Sequence, residues 1–393
     1  MKHYFDILEF GAIPDGKTKN TQAIQKAIDA CHQAGGGRVL CGAGSFLTGS
    51  LTLKSNVELH LTTGCRIVGS TSLADYADFT ASGFIGENAP EKSIKCLIGA
   101  VDAQNIAITG PGEINGSGLA FYEVKSTTGK LRKPPTPRPR IIMFYKCRNV
   151  RFEDTSFIDS PCWTFWLMQC SEVNVNRVKI RGNRRMCNVD GIDIDSCRNV
   201  TVSDCLIDTE DDCIVLRAIQ NMFDAPAVCE NVTVNNCVLD SQCQGIRVGC
   251  PGDGIIRNCT FTNLVIHNSH NNGILFEYPA RYLPKDGRTT ADVHDILFSN
   301  VVIDCVKWPV KIIVEDGIKL SRLSGLSFSN FRIKSGGPCL VQGSRETIIR
   351  NVSFSNFEIE TSGEDAVVCR YCRGIKLTNV ELSNRPGNLL DTQ

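Results

Sequence analysis

The most regular feature of the chain is a short motif in which apolar and polar positions alternate. Each copy begins with a turn residue, alternates apolar and polar positions, and then reaches an Asn or Asp, as in Asn231-Val-Thr-Val-Asn-Asn236. Alternation with period two predicts short β-strands. Nine copies, spaced 23 to 37 residues apart, start at Asn149, Glu172, Asn199, Asn231, Asn258, Asp295, Gly325, Asn351 and Gly374.

Repeats of this length predict a solenoid. One copy cannot bury the apolar face of its own strands, whereas stacked copies form a continuous core. We therefore predict an all-β fold, a single-domain parallel β-helix over residues 1–393. A β-sandwich would instead need antiparallel hairpins with Asn-Gly or Asp-Gly turns at regular spacing.

Two segments depart from the repeat. Within residues 1–50, the stretch from Asn20 to Cys31 has apolar residues on one helical face and is followed by three glycines. This pattern predicts an N-terminal α-helix that caps the open end of the solenoid. The segment 112–140 is rich in proline, which predicts a long loop that lines or covers a site.

The charge balance narrows the possible partners. The chain has 42 basic and 42 acidic residues, whereas a nucleic-acid surface or a polybasic membrane anchor needs an excess of Lys and Arg. No stretch resembles a membrane span or the apolar core of a secretion signal. We expect no nucleic-acid or membrane partner, and a cytoplasmic location unless a leader has been removed.

The chain contains 20 cysteines. In a reducing compartment we expect most of them to be buried thiols at equivalent positions of the repeat, such as Cys147 and Cys170, each two residues before a copy. Zinc sites need paired Cys-x-x-Cys units, and this chain has one pair, Cys369 and Cys372, without a second pair or a nearby His. We predict no metal.

Two acidic clusters suggest chemistry. Asp190 and Asp211 are 21 residues apart, close to one turn of the coil, so we expect them on neighbouring coils and about 5 Å apart. Asp212 follows directly. Like charges at this separation raise the pKa of one carboxyl group, which supplies a neutral acid beside an ionised base. Glycoside cleavage uses such pairs.

At these residues the chain resembles glycoside hydrolase family 28, the polygalacturonase-like right-handed parallel β-helix enzymes. The resemblance covers most of the sequence. Its most specific parts are Asn188-Val-Asp190 and Asp211-Asp212. It also includes Ser160-Pro-Cys-Trp163, and a weakly specific N-terminal signature made of Phe10-Gly-Ala12, Asp15-Gly16 and Gly35-Gly-Gly37.

The resemblance implies hydrolysis with inversion and no cofactor. It implies that Asp211 is the general acid, and that Asp190 and Asp212 hold and deprotonate water. Asn188 matches a residue that would orient a neighbouring carboxylate.

The chain also departs from the family pattern. The family has Gly-His-Gly at a position where this chain has Gln244 in place of the His. In the family that His is associated with the protonation of the general acid. The family's Arg-Ile-Lys, which binds the galacturonate carboxylate, aligns with Leu275-Phe276-Glu277. An apolar residue and an anion cannot replace two cations. We therefore do not expect ordinary polygalacturonate as the substrate.

Other residues could bind a sugar in their place. Arg217 and Arg247 are candidate replacement cations, because both could reach the cleft from outward positions. Arg184, Arg185 and Arg281 in flanking loops are further candidates, although an exposed Arg is more often simply solvated. Trp308 is a candidate platform for a sugar ring, with loop packing as the equally simple interpretation.

We therefore expect an inverting glycoside hydrolase that acts on a pectin-related or other oligosaccharide. The alternatives are a uronate lyase or epimerase on the same scaffold, and a non-catalytic carbohydrate-binding β-helix. The sequence leaves the oligomeric state open.

Overall fold

The computed structural model describes residues 4–282, 289–383 and 388–392, so both ends of the predicted domain 1–393 lie outside the described residues. Two compact units make up the chain. The first unit consists of Met1–Asp193, Asn199–Glu210 and Asn221–Asp224, and the second of Ile194–Arg198, Asp211–Gln220 and Ala225–Gln393. Each unit is built mostly of parallel β-strands, as the repeat predicts. The predicted short strands are wrong for part of the second unit, where four strands run through the left-handed positions and reach 13 to 15 residues.

The strands of the first unit are Tyr4–Asp6, Asp15–Lys19, Gly37–Cys41, Gly44–Thr48, Leu51–Thr52, Val57–Leu61, Cys65–Gly69, Cys96–Val101, Gln104–Thr109, Glu113–Asn115, Arg140–Tyr145, Arg148–Glu153, Ser156–Ile158, Phe165–Met168, Ser171–Asn176, Lys179–Arg181 and Leu206–Thr209. The unit boundary falls within the strands Ile192–Asp195 and Arg198–Ser203.

The strands of the second unit are Ile214–Arg217, Val228–Asn235, Val238–Ser241, Gln244–Gly249, Ile255–Ser269, Asn272–Tyr278, Asp292–Cys305, Trp308–Val314, Arg322–Ser335, Cys339–Gln342, Ile349–Thr361, Asp365–Arg370, Cys372–Arg373, Lys376–Leu382 and Asn388–Thr392. Short 3-10 helices occupy Ile7–Phe10, Leu73–Asp75, Gly86–Asn88, Pro90–Lys92, Gly118–Phe121, Gln220–Met222 and Ala280–Tyr282.

The nine predicted repeat starts share one backbone conformation. All nine have positive φ angles, between 53° and 71°. Left-handed backbone is unfavourable for most residues and is tolerated best by Gly, Asn and Asp, which explains the composition of the turn. Two further turns of this kind, Asn56 and Asn105, precede the predicted copies.

In the second unit, a second set of Asn residues forms a ladder across successive coils. Each side-chain amide donates to the side-chain oxygen of the Asn on the preceding coil at 2.9 to 3.2 Å. The ladder runs through Asn236, Asn263, Asn300, Asn330, Asn356 and Asn379.

The core of the second unit has a matching column of aromatic rings. Phe261, Phe298, Phe328 and Phe354 are direct partners on adjacent parallel strands. Their rings are stacked, with centroids 4.4 to 5.2 Å apart. Stacking of identical side chains requires every coil to keep the same register, so the ladder and the column stabilise the same arrangement.

An α-helix spans Thr21–Gln33 and buries Ala23, Ile24, Ala27, Ile28 and Cys31, the predicted apolar positions. It packs against the strands Tyr4–Asp6 and Gly37–Cys41. Its role as a cap, the single-domain organisation and the right-handed coil stay predictions. No helix in the described parts of the chain combines the length and apolarity needed to span a membrane.

The cysteines are free thiols, and all are buried except the half-buried Cys187, Cys243 and Cys372. In the first unit, the neighbouring Cys170 thiol and burial raise the pKa of Cys147. Such thiols stay protonated and pack as small apolar groups, as predicted for most of them.

Replacing Asn300 by Ala tests the ladder. The change removes two side-chain hydrogen bonds and leaves a residue without a local polar group at a φ of 55°. We expect the free energy of unfolding to fall by about 1–3 kcal/mol, measured by urea denaturation. Asn300→Gly loses the same bonds but tolerates the left-handed backbone, so its loss should be smaller. Equal losses of unfolding free energy in the two variants would contradict a contribution of the left-handed backbone at residue 300 to the stability difference.

Candidate functional site

The adjacent residues Asp211 and Asp212 lie in the second unit, directly before the strand Ile214–Arg217. Asp211 is half-buried, and Asp212 is only 1% exposed. The hydroxyl group of Ser241 donates a 2.7 Å hydrogen bond to the backbone carbonyl of Asp211. This bond attaches the turn that carries both carboxylates to the following coil.

Both carboxylate oxygens of Asp212 accept hydrogen bonds from the neighbouring strand Gln244–Gly249. Gln244 Nε2 donates to Oδ1 at 3.0 Å, and Arg247 Nη1 donates to Oδ2 at 3.2 Å. The structure therefore brings together three of the residues selected from the sequence. Gln244 and Arg247 hold a predicted catalytic carboxylate.

Arg247 also contacts a fourth predicted residue. Its Nη2 donates to Glu277 Oε2 at 2.7 Å, and Arg281 Nη2 reaches the same oxygen at 3.3 Å. Asp212, Arg247, Glu277 and Arg281 thus form a series of alternating charges, which runs from a buried carboxylate to an exposed guanidinium. Each buried charge in the series has a partner of opposite sign, as burial requires.

Two opposing effects determine the protonation of Asp212. Burial raises the pKa of Asp212 to about 6, and the nearby charge of Asp211 acts in the same direction. The guanidinium groups of Arg247 and Arg217 oppose this rise. Burial disfavours the charged form more than the two arginines stabilise it. Asp212 therefore changes its charge near neutral pH.

Cys243 is a site residue that sequence reasoning missed. Ligand atoms of Cys243, Asp211 and Asp212 lie within 4.8 Å of one another, a spacing that could surround a cation, and Asn271 Nδ2 donates to the thiol sulfur at 3.3 Å. Burial, followed by the charges of Asp212 and Asp211, raises the pKa of the Cys243 thiol. A protonated thiol is a poor metal ligand and a hydrogen-bond donor. The sequence feature that could have identified Cys243 is its position directly before Gln244.

Of two further residues predicted to bind the sugar, Arg217 is buried and Trp308 is half-buried. Arg217 is 2% exposed and donates to the carbonyl oxygen of Cys250 at 2.6 Å, so it does not present a free cation at the surface. Trp308 is half-buried and pairs in register with Asn272, and the ammonium group of Lys311 lies 4.2 Å from the centre of its ring. This cation–π contact fixes the indole.

Asn188 and Asp190 belong to the first unit. Asp190 is 2% exposed, and its backbone carbonyl accepts a 2.9 Å hydrogen bond from the amide of Thr164. Asn188 has a positive φ of 58°, and its side-chain oxygen accepts a 3.0 Å bond from Arg138 Nη2. Its carboxylate-orienting role, and the placement of Asp190 beside Asp211, stay predictions.

Comparison with known families gives one match over most of the chain. The model of the glycosyl hydrolases of family 28 matches residues 31–384. A probable polygalacturonase of Arabidopsis thaliana is 28% identical over 215 residues, which cover 54% of this chain and 42% of that protein. This chain therefore spans less than half the length of the plant relative.

Other relatives match over a longer range. An endo-polygalacturonase of Pectobacterium parmentieri is 24% identical over 84% of this chain and 83% of its own length. The crystal structure of an exopolygalacturonase from Thermotoga maritima superimposes with a TM-score of 0.78 at 22% identity, covering 96% of this chain and 92% of that one. At such identity the structural likeness concerns the fold.

Replacing Arg247 by Gln tests the charge balance at Asp212. Loss of the guanidinium removes the principal effect that lowers the pKa of Asp212, so this pKa should rise above its value of about 6. Carbon-13 NMR titration of the aspartate carboxyl groups measures the change. Arg281→Gln is the matched control, because Arg281 contacts Glu277 and is mostly exposed. An unchanged or lower pKa in the Arg247 variant would contradict the assigned balance.

Proposed function

The chain belongs to the glycosyl hydrolases of family 28, and from this we propose that it hydrolyses glycosidic bonds in a pectin-related or other oligosaccharide, with inversion at the anomeric carbon. The observation that carries the proposal is the adjacent pair Asp211 and Asp212, in which burial raises the pKa of Asp212 to about 6. Inverting hydrolysis needs one carboxyl group that donates a proton and another that accepts one, and this pair supplies two carboxyl groups at adjacent positions.

In this proposal Asp211 is the general acid. It donates a proton to the leaving glycosidic oxygen while a water molecule attacks the anomeric carbon from the opposite side. Asp212 and Asp190 hold that water and take its proton. A pKa near 6 suits this role, because a general base works best when its pKa lies close to the working pH.

The charge series also supports a substrate other than ordinary polygalacturonate. Arg247 and Arg281 both contact Glu277, so a substrate carboxylate would have to compete with a carboxylate already in place. Leu275, 4% exposed, stands in register between Arg247 and Lys311. These residues suit a sugar that is neutral or carries less charge.

Two features weigh against a lyase or epimerase. Such an enzyme needs a strong base for the proton next to the uronate carboxyl group, together with a cation for the developing negative charge. Burial lowers the pKa of Arg247, but nearby negative charges, among them Asp212 and Glu277, raise it well above its ordinary value, so Arg247 cannot give up its proton. Arg217 already donates to the Cys250 carbonyl.

The proposal is tested by incubating the protein with a panel of pectic oligosaccharides and following the anomeric signals by NMR. We expect at least one substrate to be cut, with the first product in the configuration opposite to that of the cleaved bond. Asp211→Asn should lower kcat by roughly 10²–10⁴-fold while ligand affinity is retained. Retention of configuration, or an unsaturated product that absorbs ultraviolet light, would contradict it, and binding without turnover would favour a binding protein.

Glu277→Gln tests the proposed substrate preference. The change removes a negative charge and releases Arg247 and Arg281 to meet a uronate carboxylate. We expect the affinity for trigalacturonate to rise roughly tenfold, the size of one charge-assisted hydrogen bond, measured by isothermal titration calorimetry. Glu315→Gln makes the same change of charge at a carboxylate that accepts from the backbone amide of Ala280, and should have little effect. An equal rise in affinity in both variants would show that net charge, and not the contacts of Glu277, determines the affinity for trigalacturonate.

A further inference from the structure

The Pro-rich segment 112–140 of the first unit is attached to the segment 183–190, which carries Asn188 and Asp190. Four buried apolar residues form one cluster between the two segments, and they are Tyr122, Leu131, Met186 and Val189. The backbone amide of Leu131 donates to the carbonyl of Arg185 at 2.6 Å, and Arg185 Nε donates back to the carbonyl of Gly129 at 3.1 Å. The segment predicted to line or cover a site is therefore packed onto the backbone that leads to Asp190.

The guanidinium of Arg138 lies at the centre of this contact. Arg138 is 1% exposed, and it donates from both terminal nitrogens. Nη1 reaches Tyr122 Oη and the carbonyl oxygen of Cys187, each at 2.6 Å. Nη2 reaches Glu91 Oε2 at 2.8 Å and Asn188 Oδ1 at 3.0 Å. One side chain therefore joins three separate segments.

The contacts at 187 and 188 constrain both the backbone and a side chain of the same turn. Arg138 holds the Cys187 carbonyl and the Asn188 amide oxygen at once, and Asn188 stands in the left-handed conformation at a φ of 58°. The planar guanidinium presents its donors at fixed angles, so it defines the orientation of the Asn188 side chain as well as its position. Glu91 neutralises the buried charge.

We propose that Arg138 is a positioning residue for the reaction. It fixes the orientation of Asn188 and the backbone that leads to Asp190, and the segment 112–140 holds it there. This inference rests on the proposed function, because Asn188 is the residue expected to orient a catalytic carboxylate. Arg138 itself touches no reacting atom in this mechanism.

The first experiment is a double-mutant cycle with Arg138→Lys, Asn188→Ala and the double variant, measured on the oligosaccharide that the wild type cleaves best. Lysine keeps the charge but cannot donate to four acceptors in two directions. We expect Arg138→Lys to lower kcat by roughly ten- to a hundredfold, the size of a misplacement of about 1 Å, with KM nearly unchanged. The losses of kcat in the double variant should be less than additive, because part of the effect of Arg138 passes through its contact with Asn188.

Lys133→Met is the matched control. Lys133 also pairs with Glu91, but it is half-exposed and belongs to the rim of the same contact. Its replacement should leave kcat unchanged. Additive losses in the cycle, or an equal loss of kcat in Lys133→Met, would overturn the positioning role.

Hydrogen exchange separates this inference from the proposed function. In Arg138→Lys the backbone amides of 183–190 should exchange faster, while those of 148–158 in the same unit should not change. Unchanged exchange at 183–190 overturns the inference whether or not a substrate is found. Failure of the wild type to cleave any oligosaccharide overturns the proposed function, and faster exchange at 183–190 would then still support the attachment through Arg138.

Discussion

In the second unit, each coil from Asn263 onward contains a left-handed residue within its strand and must stay in register with the coil before it. The side chain of Asn meets both demands, because it tolerates the left-handed backbone and its amide donates to the equivalent Asn of the preceding coil. In the second unit the bonds from Asn263 to Asn236 and from Asn300 to Asn263 keep Phe261 and Phe298 in contact within the core. The side chains of neighbouring strands consequently meet at fixed positions.

The site depends on that register. Arg247 and Glu277 belong to adjacent strands, and their contact requires those strands to be aligned as they are. Buried charges of this kind need partners of opposite sign, and removing one partner leaves the other uncompensated. The alternating charges from Asp212 to Arg281 therefore act as one network, in which a change at one charge alters the environment of the next.

The sequence was informative where a rule acts locally. The repeat starts at Asn149 and Asn231 were recognisable because a left-handed turn limits the residue type. The earlier turn at Asn105 was missed, because a Gly stands where later copies have Asn or Asp. Asp211 and Asp212 could be selected as adjacent acidic residues, whereas the placement of Asp190 beside Asp211 stays a prediction.

Side-chain partners between distant coils could not be predicted in the same way. Arg217 was expected to reach outward, yet it is buried and donates to Cys250, 33 residues further along the chain. Arg138 gave no signal, since its contacts to Glu91 and Asn188 come from segments 47 and 50 residues away. Such contacts depend on how coils of unequal length are superimposed, and no local pattern encodes that.

The unequal coils have one further consequence. Successive members of the Asn ladder are separated by as many as 37 residues, between Asn263 and Asn300, or as few as 23, between Asn356 and Asn379, yet the amide bonds keep almost the same length of 3.1 and 3.0 Å. Extra residues are thus accommodated away from the ladder, and Arg281, at the end of the charge series, lies in the longest interval. Insertions between ladder positions can therefore lengthen a coil without disturbing the Asn ladder. New specificity can arise by such insertions while the repeated framework is inherited.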